Sequence, residues 1–137
     1  MDTATLQQLL APLFPGLMGL ELTATSPERV QATLRVRPDL CTAGGILHGG
    51  AYMAFADTIG AVATVLNLPA GAGTTTVESK TNFISAIRAG EVARAECTPV
   101  HRGKTTQVWT TRILRPDGKL AAIVTQTQMV LAARAKA

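Results

Sequence analysis

The stretch from Ala51 to Leu68 limits what this chain can fold into more than any other. Its polar members, Tyr52, Asp57, Thr58, Thr64 and Asn67, are too few to give a helix a broad wet face. A helix apolar on nearly all sides has to be enclosed by protein or by lipid. Lipid is disfavoured. Asp57 sits near the middle of the run, where a carboxylate costs about 2.5–3.5 kcal/mol on the insertion scale. Ala and Gly dominate the run, so it is only mildly hydrophobic. A helix enclosed by the protein's own core is the expectation.

The rest of the chain supplies the enclosure. Val30, Ala32, Leu34 and Val36 alternate with Gln31, Thr33, Arg35 and Arg37, the period of a strand with one buried and one wet face. Strands are also expected at Leu20–Thr25, Thr75–Ile87, Glu91–Val100, Lys104–Leu114 and Leu120–Ala132. Turn chemistry at Ala89-Gly90, Arg102-Gly103 and Pro116-Asp117-Gly118 separates the last four, which reads as an antiparallel meander. A short amphipathic helix over about residues 5–13 precedes them. Thr3 or Thr5 is its expected cap, and Pro15-Gly16 its stop. Residues 133–137 read as a frayed tail. The sum is one α+β domain spanning 1–137, an antiparallel sheet wrapped around one long central helix.

Composition narrows the functional classes. With 47% hydrophobic residues the chain is not of the disordered class. Aromatic residues make up only 4%, and a core so thin is often completed by a neighbouring subunit. The net charge of +4 allows a phosphate-bearing ligand, but no long basic tract with interleaved aromatics marks a nucleic-acid face. Cys41 and Cys97 have no CxxC spacing, and His48 and His101 stand alone, so neither a disulfide framework nor a metal site is expected. Met1-Asp2-Thr3 lacks the basic start of a secretory leader. A reduced, cytoplasmic setting is therefore expected.

Two features carry chemistry. Gly49 and Gly50 stand where the central helix begins, with unpaired N–H groups and the positive end of the helix dipole. A glycine there lets a carbonyl oxygen approach closely, the geometry of an oxyanion site; the same residues also suit a plain tight turn. Asp57 is the second. A carboxylate on an apolar helix needs a partner. It is either bonded to a backbone amide or an arginine such as Arg88, or it is a nucleophile or general base.

The run His48-Gly49-Gly50-Ala51-Tyr52-Met53-Ala54-Phe55-Ala56-Asp57, followed by Asn82-Phe83, Gly90 and His101-Arg102-Gly103-Lys104, resembles the signature of the hot-dog-fold acyl-CoA thioesterases. The likeness is to their phenylacetate-pathway (PaaI-like) branch and runs from about Gly19 to Leu131. It implies hydrolysis of a CoA thioester, aromatic or medium-chain, to free acid and CoA. Coenzyme A is then part of the substrate and no separate cofactor is needed. It implies Asp57 as nucleophile or base, Gly49 as the oxyanion donor and His48 as a loop-bonding residue more than a base. Phe83, Ile84 and Ser85 are implied along the pantetheine arm. His101, Arg102, Gly103, Lys104 and Thr105 are implied at the nucleotide phosphates, with Arg88 a secondary candidate. Where the branch commonly has Asn or Gln, six residues before His48, this chain has Thr42. Thr75 or Thr76 stands where similar proteins place a hydroxyl. Gly49 and Asp57 are eight residues apart, roughly 12 Å along a helix, too far to serve one thioester from one chain. A homodimer is the minimum catalytic unit expected, and a homotetramer the expected assembly. A non-catalytic acyl-CoA-binding module on the same fold is the alternative.

Overall fold

The computed structural model describes residues 1–135. Helices α1 (Thr3–Leu10) and α2 (Phe14–Met18) lead into strands β1 (Leu20–Ser26) and β2 (Arg29–Arg35). A single 3-10 turn, Pro38–Leu40, precedes helix α3 (Gly49–Val65). Strands β3 (Gly73–Phe83), β4 (Val92–Arg102), β5 (Thr106–Leu114) and β6 (Leu120–Leu131) complete the chain. Residues 132–135 carry no regular element; the rest of the tail expected to fray, 136–137, lies outside the described residues.

The N-terminal helix differs from expectation at both ends. Asp2 caps it, its carboxylate accepting from the Thr5 N–H at 2.8 Å. Pro15 does not stop the helix; it sits in the first turn of α2, where its missing N–H is no loss. Gly16 permits the elbow, since a Cβ there would lie 1.9 Å from the Ala11 carbonyl oxygen.

All six strands form one antiparallel sheet in the order β1-β2-β4-β5-β6-β3. The meander holds for β4-β5-β6 only. The Ala89-Gly90 turn is no hairpin: β3 lies at the far edge beside β6, while β4 continues from β2. The reason lies in the segment after Phe83. It leaves the sheet, and Arg88 bridges to Ile46 near the start of α3.

Helix α3 lies across the sheet's inner face and touches every strand. Phe55, Ala56, Ile59 and Ala63 on α3 are fully buried against Val30, Leu34, Val36, Trp109, Ile113 and Val124, the inward set of β2 being the one its alternation specified. The Trp109 indole N–H donates to the Thr64 hydroxyl at 2.8 Å, and that hydroxyl donates to the Gly60 carbonyl. The helix is thus pinned to β5 by a bond enclosed in the core. Among the described residues no helix is long and apolar enough to cross a membrane.

Candidate active site

Asp57 projects from the middle of α3, half-buried. Its Oδ1 accepts from the Thr76 hydroxyl at 2.7 Å and from the Gln126 side-chain amide at 3.3 Å. Arg88 is not its partner. It lies near the start of α3, bridging to Ile46, and its backbone N–H donates to the Glu91 carboxylate. The described donors to Asp57 are thus neutral, with no counter-charge among them. It lines a cavity of about 340 Å³ whose other walls are Met1, Leu6, Leu9, Leu10, Pro15, Thr58, Ala61, Val62 and Val65.

Gly49 opens the helix, with His48 as its N-cap. The His48 Nδ1 accepts from the Gly50 N–H at 2.8 Å, so that ring nitrogen is a cap and not a base. Among the described residues the Gly49 N–H has no acceptor. The Phe83 ring lies over it; a Cβ on Gly49 would come 3.2 Å from that ring. Around it a second cavity of about 310 Å³ is lined by Thr42, Ile46, Leu47, Tyr52, Phe83, Ile84, Ser85 and Ala86. Tyr52 holds one wall, its hydroxyl donating to the Ser85 carbonyl at 3.3 Å and its ring meeting Phe83 edge-on at 5.9 Å. Burial raises the Tyr52 phenol's pKa, so it remains a donor. The Thr42 hydroxyl accepts from the Gly44 N–H at 3.3 Å on the rim of this cavity.

One helix thus presents a carboxylate beside one apolar cavity and, at its start, an N–H without an acceptor among the described residues beside another. The residues expected around coenzyme A divide the same way. Phe83, Ile84 and Ser85 belong to the Gly49 end. His101 to Thr105 lie at the other end of the sheet. The pairing of Thr106 with Met129, and of Met129 with Thr75, puts the β4–β5 turn near the start of β3. Phe83 is eight residues further on, roughly 26 Å along the strand.

Within that exposed turn Arg102 is already engaged by its neighbours. The Arg102 guanidinium donates to the Pro27 carbonyl and the Asn67 side chain at 3.3 and 3.4 Å and lies 3.7 Å from the Glu28 carboxylate. The His101 ring folds over Gly103, where a Cβ would come 2.4 Å from its Nε2. Lys104 and Thr105 are exposed.

Sequence reasoning missed two glutamines. Gln126 and Gln128 are fully buried on the inner face of β6, at positions where Ala122 and Val124 set an apolar period. Polar residues on the buried phase of a strand were the available signal.

With this geometry in place, comparison with known proteins is specific. The Thioesterase superfamily model matches residues 44–122, which span α3, β3, β4 and β5. A protein of Haemophilus influenzae described as a putative esterase is 32% identical over 114 residues, covering 83% of this chain and 82% of its own. The Escherichia coli 1,4-dihydroxy-2-naphthoyl-CoA hydrolase is 29% identical over 116 residues, covering 85% of each. Among solved structures, a Haemophilus influenzae thioesterase superposes with a TM-score of 0.90 at 29% identity, over 96% of this chain and 91% of that one. The chain therefore belongs to the Thioesterase superfamily and is an enzyme of the hot-dog fold.

Proposed function

We propose that this enzyme hydrolyses an acyl-CoA to the free acid and CoA at a site shared by two copies of the chain. The observation that carries this is the incompleteness of each half-site. Asp57 and the Gly49 N–H both suit one thioester, yet they face separate cavities eight residues apart on α3. A second copy with its α3 antiparallel to the first brings Gly49 of one beside Asp57 of the other, and the twofold symmetry gives two such sites. The Gly49 N–H then holds the carbonyl oxygen as charge develops on it, worth roughly 3–4 kcal/mol. Asp57 either takes a proton from the attacking water, or attacks the carbonyl carbon itself to form a mixed anhydride that water then hydrolyses to the free acid. The carbon–sulfur bond breaks and the thiolate leaves as CoA.

The acyl end belongs in the cavity beside Asp57. Leu6, Leu9, Leu10, Val62 and Val65 make it apolar, so it fits an aryl or medium-length hydrocarbon group better than a charged one. Kinship with a naphthoyl-CoA hydrolase supports a CoA thioester as the substrate class. The phosphates are assigned to the β4–β5 turn, His101 to Thr105.

The test is a panel of CoA thioesters assayed for thiol release with the wild type and Asp57→Asn. We expect turnover of at least one acyl-CoA, and a fall in kcat of at least about a hundredfold in the variant. An Asp57→Asn variant as active as the wild type overturns the assignment, and binding without thiol release would mark a binding module instead.

A further inference from the structure

We infer that Gln128 is a positioning residue for the hydrolysis, acting on Asp57 through the Thr76 hydroxyl, and that Oδ2 is the carboxylate oxygen left to work. The inference rests on Asp57 being the acting carboxylate. It is carried by counting protons. The Gln128 side-chain amide donates to the Thr76 Oγ1 at 2.7 Å. A threonine hydroxyl has one proton. With that oxygen already accepting, its proton is directed at the Asp57 Oδ1, also 2.7 Å away. Thr74 supports this orientation of the Gln128 amide, its one hydroxyl proton shared between the Gln128 Oε1 at 2.9 Å and the Met129 carbonyl at 3.0 Å. Gln126 adds a second, longer donor to the same Oδ1.

Both donors load one oxygen. Among the described residues Oδ2 accepts from none. With Oδ1 occupied by two donors, Oδ2 is the oxygen left to meet water or thioester. The anchor of the chain is rigid: Gln128 is fully buried and lies directly opposite Thr76 on one side and Gln107 on the other. A buried amide at an aliphatic position is unfavourable unless its bonds are made. Here they are made toward the carboxylate. Removing the amide leaves the Thr76 proton free to turn to other acceptors and the Asp57 side chain free to change rotamer.

The experiment is a double-mutant cycle on the intact oligomer, with kcat and KM on the best acyl-CoA. Gln128→Met keeps the side-chain volume and removes the donor. We expect it to lower kcat about tenfold through misplacement of Asp57, with KM changed less than twofold. In a Thr76→Val background the same substitution should lower kcat no further, because the relay is already cut. In Thr76→Ser, which keeps the hydroxyl, the dependence on Gln128 should persist. Thr74→Val, at the edge of the sheet, gives a milder form of the same loss and serves if Gln128→Met does not fold. Equal factors in the wild-type and Thr76→Val backgrounds would show a merely structural glutamine and overturn the inference. So would an unchanged kcat in Gln128→Met or, where that variant does not fold, in Thr74→Val. If Asp57→Asn is inactive while these results appear, only this inference falls; if Asp57→Asn is fully active, the shared-site reading falls first.

Discussion

Gly60 exists where Gln126 crosses helix α3: a Cβ on Gly60 would lie 2.2 Å from the Gln126 Oε1 and 2.6 Å from its Nε2. The glutamine that reaches Asp57 does so over a notch in the helix, one turn beyond the carboxylate. Gln126 is fully buried, so its amide has nowhere to swing. Gly60→Ala should therefore destabilise the protein by about 1–3 kcal/mol through overpacking, although alanine is the better helix former by about 1 kcal/mol. Urea denaturation measures the difference, and a stabilised variant would show that the amide has room to move.

Shared sites predict complementation between dead variants. Asp57→Ala removes the carboxylate, and Gly49→Pro removes the donor at a first-turn position where proline is tolerated. The Phe83 ring above Gly49 is 54% exposed and can give way to the added ring atoms. Each variant alone should be inactive. Co-refolded mixtures should recover activity, because a mixed dimer restores one intact site. Folded, demonstrably mixed oligomers that stay inactive would mean each chain works alone.

The β4–β5 turn gives a substrate-dependent signature. Arg102 is engaged by Glu28, Pro27 and Asn67, which leaves Lys104 the more available cation. Lys104→Ala should raise KM for CoA substrates about fivefold, the scale of an exposed charge contact, with kcat little changed. Arg102→Ala combined with it should raise KM further. Acyl-N-acetylcysteamine thioesters, which lack the nucleotide, should be indifferent. Equal losses on both substrate types would place the nucleotide elsewhere.

Thr64 and Trp109 form a bond fully enclosed in the core. Thr64→Val keeps the shape and leaves the indole N–H without an acceptor. The expected loss is about 1–3 kcal/mol, read from the denaturation midpoint; a midpoint unchanged from wild type would mean the indole finds another partner.

Cys97 sets an alkaline limit. Burial pushes its thiol from an ordinary value of 9.0 up to about 11. The unfolded chain therefore releases this proton first, and stability that is full below pH 9 falls as pH rises toward 11, by about 2 kcal/mol at most. Cys97→Ala should flatten that part of the stability profile relative to the wild type. Parallel profiles would assign the alkaline loss to other groups.

The sequence made the central helix and β2 legible because each has a single strong period: an apolar run with no wet face, and strict alternation on Val30, Ala32, Leu34 and Val36. The edge position of β3 was not legible. Turn residues at Ala89-Gly90 report a local bend, whereas the choice of β6 as partner for β3 is made by the whole sheet closing over α3. His48, Gly49 and Asp57 could be picked out, since a charge or a glycine pair at a helix start stands apart from apolar neighbours. Gln126 and Gln128 hid in a Thr- and Val-rich strand, because a buried glutamine is recognised only once its strand's inward phase is known. The commitment of Arg102 to Glu28 joins residues far apart in the chain, and no local pattern reports it.

The pairing of β3 with β6 slips by one residue between Thr76 and Glu78, leaving Val77 bulged outward and exposed. Before the slip Thr74 and Thr76 stand opposite Gln128 and its neighbours; after it Ser79, Thr81 and Phe83 stand opposite Gln126, Val124 and Ala122. Both sets face the helix only because the bulge resets the alternation. The strand is in effect read in two frames. Were Val77 drawn into the ladder, Glu78 and Lys80 would turn inward and Phe83 would leave Gly49 while Thr76 stayed in place; deleting Val77 instead would leave both sets inward, in a single frame. β3 can therefore lose its bulged residue and keep its facing, but a residue gained or lost elsewhere between Thr76 and Phe83 would turn the side chains beyond it to the other face of the sheet.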